Sequence, residues 1–66
     1  MRVVCYSGQT YAERPVRFDW HGRWREVTEI MQAWQEPGKR CFRVLTGDGE
    51  LFNLCYKEAQ DKWCLI

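Results

Sequence analysis

Sixty-six residues with ten Lys+Arg against nine Asp+Glu make one small domain, residues 1–66, of formal charge +1. That balance excludes a protein held to duplex DNA mainly by phosphate neutralisation, which carries a strong basic excess. The apolar run after Met1 is too short for a signal-peptide core and no long apolar stretch follows, so a cytoplasmic protein without membrane contact is expected.

The chain divides into short segments rich in aromatic and β-branched residues. The dividers are Ser7-Gly8, Pro15, His21-Gly22, Glu36-Pro37-Gly38-Lys39 and Gly47-Asp48-Gly49. "RVVCY" reads as an edge strand. In "PVRFDW", Val16, Phe18 and Trp20 alternate with Arg17 and Asp19, as in a half-buried strand started by Pro15. His21-Gly22 then forms a turn into "RWREVTEIMQAW". Here Val27, Ile30, Met31 and Trp34 fall at helical spacing, while the same run also reads as a strand with one bulge. The short turn before it and the β-rich flanks favour a long, bent strand.

"CFRVLTGDGELFNLCY" is the clearest hairpin. A three-residue loop over 47–49, with Gly49 in the left-handed position, sets Thr46 opposite Glu50. Phe42 then meets Leu54 and Val44 meets Phe52 on one face. Cys41 meets Cys55, Arg43 meets Asn53 and Leu45 meets Leu51 on the other. After Tyr56, "KEAQDK" is a polar turn and "WCLI" a last strand. The expected fold is mainly β: a small antiparallel meander of five or six short strands, curled into a half-open SH3-like barrel. Such a small chain buries only about 60% of its unfolded surface. Four Trp, three Tyr and three Phe supplement the core, with homodimerisation as the other route.

The four cysteines, Cys5, Cys41, Cys55 and Cys64, contain no C-x-x-C spacing. They are expected to be free, mostly buried thiols with no metal, although Cys41 and Cys55 lie within reach of each other across the hairpin. The competing reading is a cysteine-based metal or thiol site. Catalysis has little support. The single His21 sits at a turn far in sequence from any cysteine, the carboxylates are scattered, and no glycine-rich phosphate loop is present. A noncatalytic protein without a cofactor is expected.

Binding is better supported. Arg14, Arg17, Arg23 and Arg25 surround Phe18, Trp20 and Trp24, with only Asp19 opposing them between residues 14 and 25. Single-stranded nucleic-acid sites combine such rings and charges, because bases stack on the rings while arginines meet phosphates. Alternation assigns Phe18 and Trp20 to the core. The candidate contact therefore comprises Trp24 with Arg17, Arg23 and Arg25, directed at a protein partner or single-stranded nucleic acid. Trp34, Trp63, Tyr11 and Tyr56 could line a second, protein-binding groove, but Trp34 and Trp63 are better read as core fillers.

The succession of Phe18, Trp20, Gly22 and Arg23, then Val27, Ile30 and Trp34, then Phe42, Arg43 and Val44, then Leu54 and Tyr56, then Trp63 and Leu65 carries a resemblance. It resembles the small bacterial domains of unknown function that occur alone or in association with Y-family translesion DNA polymerase-like proteins. The pattern spans about residues 13 to 66, each of its motifs being weakly specific alone. The resemblance implies an all-β fold and, by association, a link to DNA repair or replication. It transfers no catalytic residue, and the cysteines lie outside it.

Overall fold

The computed structural model describes residues 1–6 and 14–66. Six strands follow one another as β1 (Val3–Cys5), β2 (Pro15–Trp20), β3 (Arg23–Glu36), β4 (Lys39–Thr46), β5 (Leu51–Lys57) and β6 (Lys62–Leu65). Each pairs antiparallel with the next, so spatial order equals chain order. One short 3₁₀ turn, Glu58–Gln60, joins β5 to β6. The Ser7-Gly8 divider and Tyr11 lie outside the described residues.

The turns follow from local chemistry. His21 and Gly22 both take positive φ, 53° and 73°, as a two-residue hairpin turn requires. His21 stacks on Trp20 with ring centroids 4.0 Å apart, which holds a non-glycine residue in that conformation. At the β4–β5 loop, the Thr46 N–H donates to Glu50 O and the Gly49 N–H to Thr46 O, each at 2.9 Å. Gly49 has φ 83°, and the hairpin register is the one the three-residue loop predicts, including Cys41 opposite Cys55.

Residues 23–34 are strand, continuing to Glu36, and their helical spacing has a specific cause. Register shifts between Val27 and Glu29 and between Ile30 and Gln32 insert extra residues into β3. Val27 and Ile30 therefore both pack on the core despite their odd separation. The same shifts bend β3, whose first part pairs with β2 and whose remainder pairs with β4.

Phe18, Phe42, Val44 and Leu54 are buried at the centre, ringed by Val3, Trp20, Val27, Ile30, Phe52, Trp63 and Leu65. All six strands thus contribute to one concave face. Phe18 of β2 meets Phe52 of β5 edge-on, with centroids 5.2 Å apart, although two strands separate them in the sheet. Only a curled sheet brings them together, and the result is a half-open barrel. Its seam lies between β1 and β6, which do not pair among the described residues. A groove of about 430 Å³ runs there between Met1–Val3 and Asp61–Trp63.

Two expectations are corrected. Trp34 is not a core filler: it lies on the convex face opposite Cys41, with its indole N–H donating to Glu36 Oε2 at 2.8 Å. The second bulge in β3 sets that orientation. Trp63 does pack on the core, against Phe42 and Tyr56. The four cysteines are not all free, since Cys41 and Cys55 form a disulfide. They occupy a closely spaced pair of the antiparallel ladder, with Cα atoms 4.1 Å apart, where side chains approach most nearly. Cys5 and Cys64 remain thiols.

Candidate functional site

The candidate residues sit on the hairpin of β2 and β3, where alternation separates them. Asp19 lies opposite Trp24, and Arg17 opposite Glu26. These four occupy the convex face. Trp24 is 48% exposed, whereas Trp20, Trp34 and Trp63 are half-buried. The Arg17 guanidinium lies over the indole, its Cζ 5.6 Å from the ring centroid. Such a contact holds a flexible arginine beside an exposed ring.

Arg23 and Arg25 point the other way. Arg25 is opposite Phe18, and its guanidinium lies 5.3 Å from the centroid of Phe52. Its Nη1 is 2.5 Å from Asp48 Oδ2 and 3.5 Å from Glu50 Oε1, with only 18% of the side chain exposed. Its charge is therefore matched within the domain. Arg23 is exposed and faces Trp20 across the turn. Of the predicted set, the fold joins Arg17 to Trp24 and leaves Arg23 and Arg25 on the opposite face.

A shallow groove of about 240 Å³ separates Arg23–Glu26 from Thr46–Asp48. Two arginines and two carboxylates border it, so its formal charges cancel. Asp48 is engaged at this border as well. The Thr46 hydroxyl donates to its carboxylate and, with help from backbone N–H groups and Arg25, holds it below the usual carboxylate range.

No family model, curated protein or solved structure matches this chain. The site therefore stands on its own chemistry. Among the described residues, no group of three or more His, Cys, Asp or Glu side chains is placed to hold a metal ion. Burial raises the Cys5 thiol above its ordinary range, leaving it less of the reactive thiolate. Among the described residues no helix is long and apolar enough to cross a membrane.

Two further exposed apolar side chains lie outside the candidate contact. Leu51 is 49% exposed, directly opposite the half-buried Leu45 on the convex face, and Met31 is exposed beside the second bulge. Leu51 was legible in the alternation of "ELFNL", which assigns Phe52 and Leu54 to the core and Leu51 to the reverse face. Met31 had no such signal, because the bulges break the period around it.

Proposed function

We propose that this chain is a noncatalytic β module that recognises a protein partner through the convex face of the β2–β3 hairpin. Trp24 is the anchor and Arg17 its charged neighbour. The observation that carries this reading is the exposure of Trp24 in a small domain that half-buries its other three tryptophans. Trp and Arg are the side chains most often found as energetic anchors at protein interfaces.

Charge favours a protein over single-stranded nucleic acid. Arg17 shares its face with Asp19 and Glu26, and Arg25 is engaged with Asp48 and Glu50. A groove that tracks a phosphate backbone needs a positive field, and the convex face of this hairpin sets one arginine against two carboxylates. The working compartment in this reading is the cytoplasm, where Cys41 and Cys55 would cycle between dithiol and disulfide. The resemblance to translesion polymerase-associated domains makes replication or repair assemblies the first place to seek the partner.

The test compares wild type with Trp24→Ala. Removing an exposed ring is expected to change stability by no more than about 0.5 kcal/mol, measured by urea denaturation. Affinity capture with each protein should then retain a partner on wild type that Trp24→Ala loses. A labelled single-stranded oligonucleotide at low salt is expected not to bind. Oligonucleotide binding that weakens with salt and disappears in Trp24→Ala would replace the protein reading with the nucleic-acid one. Concentration-dependent sedimentation abolished by Trp24→Ala would identify the partner as a second copy of the chain.

A further inference from the structure

Three cysteines stand in one row across three adjacent strands. Cys41 of β4 is opposite Cys55 of β5, and Cys55 is opposite Cys64 of β6. Directly opposed residues in antiparallel strands share a face, so all three side chains lie on the convex side of the sheet. Cys41 and Cys55 are bonded and have no exposed surface, while Cys64 is a free, partly exposed thiol. We propose that this row is a thiol–disulfide exchange site, in which Cys64 connects the buried disulfide to low-molecular-weight thiols in solution.

The strand order supplies the geometry. Displacement at a disulfide sulfur proceeds in line, with the incoming thiolate and the departing sulfur on opposite sides of the attacked atom. Cys55 is the middle member of the row, with Cys41 on one side and Cys64 on the other. Backbone N–H and C=O groups fix the Cys55–Cys64 pair. The Ile66 N–H donates to Asn53 O at 2.9 Å, which marks 53 and 66 as a hydrogen-bonded pair and, two residues along each strand, 55 and 64 as another. Such pairs hold Cα atoms about 5.5 Å apart, within the range that a disulfide spans.

The exchange balances without an outside oxidant or reductant. Cys64 loses its proton to water, and its sulfur attacks Cys55 Sγ. The Cys55–Cys64 bond forms as the Cys41–Cys55 bond breaks, and the electron pair leaves on Cys41 Sγ, which takes up a proton. The disulfide has then moved from a buried position to the edge strand. A solution monothiol can now attack Cys64 Sγ, forming a mixed disulfide there and releasing Cys55 as a thiolate. A second monothiol molecule attacks the mixed disulfide, frees Cys64 and leaves as the oxidised dimer. Full burial of Cys41 and Cys55 closes the direct route, so reduction passes through Cys64.

Air-oxidised protein is treated with reduced glutathione, quenched in acid at intervals, alkylated and mapped by mass spectrometry. Wild type is expected to show a glutathione adduct on Cys64. Cys64→Ser and Cys64→Ala should lose their disulfide at least about tenfold more slowly than wild type, because the accessible attacking thiol is gone. Cys5→Ser, which removes the other free thiol, should keep the wild-type rate. The proposal is overturned by equal rates in wild type and both Cys64 variants, by a first adduct on Cys41 or Cys55, or by four free thiols after air oxidation. Circular dichroism shows whether each variant is folded. If one Cys64 variant fails to fold, the other carries the comparison, and the adduct map on wild type decides by itself.

Discussion

Arg25 belongs by sequence to an arginine-rich aromatic run, yet it serves the fold. Its guanidinium rests on Phe52 and pairs with Asp48 and Glu50, tying β3 to the β4–β5 loop. Arg25→Ala is expected to lower stability by about 1–2 kcal/mol, through lost stem packing and the cation–π contact, as read by urea denaturation. Asp48 adds a pH dependence with a definite sign. Its folded carboxyl is held below the ordinary value of 3.8, chiefly by the Thr46 hydroxyl. Its contribution is therefore complete above that value and fades as pH falls below it toward the folded one. In a pH series of urea midpoints, Asp48→Asn should show a shallower acid-side decline than wild type, in the interval just below pH 3.8.

At the scale of elements, local rules read the β4–β5 hairpin well and β3 less well. The loop 47–49 and the alternation on either side agree on a single register, because a one-residue slip would turn the core residues outward. Gly49 carries the loop at φ 83° with open space around its Cα, so a methyl group there meets no neighbour. Gly49→Ala is expected to destabilise by about 1–2 kcal/mol through backbone conformation alone, and Gly49→Asn by less. Denaturation of the two variants separates this account from steric crowding, which would make Asn the worse substitution. In β3, two bulges shift the period, so a helix-like spacing describes a strand and Trp34 moves to the convex face. Bulges leave no unambiguous mark in a single sequence, since they depend on which partner residues compete for pairing.

Across the whole molecule, curling brings β2 over β5 and builds one core from six strands. The stability reserve of a chain this size is only about 3–10 kcal/mol, at 0.05–0.15 kcal/mol per residue. A disulfide is a substantial fraction of that. The Cys41–Cys55 bond spans a sequence separation of 14, and closing a loop of that length contributes about 3 kcal/mol in the chain-entropy account. Reduction, or the double variant Cys41→Ala and Cys55→Ala, is expected to lower the unfolding free energy by about 2–3 kcal/mol. Thermal melts with and without reductant measure it. An unchanged melting temperature would mean that the hairpin already restricts the unfolded chain as much as the bond does.

The sequence by itself determined the β class, the turns at 21–22 and 47–49, the β4–β5 register and the assignment of Phe18 and Trp20 to the core. These depend on side-chain period and on residues tolerant of positive φ, which are properties of neighbours along the chain. Strand alternation alone sets Arg23 and Arg25 on the face opposite Trp24; only the tertiary structure decided which partners the arginines meet. Trp24 and Arg17 share the convex face, while Arg25 reaches across to acids on a loop 23 residues away. It likewise decided that Cys41 and Cys55 are bonded and that Cys64 stands beside them. Charge pairing and thiol proximity are set by distances between strands, and those distances exist only after the sheet has paired and curled.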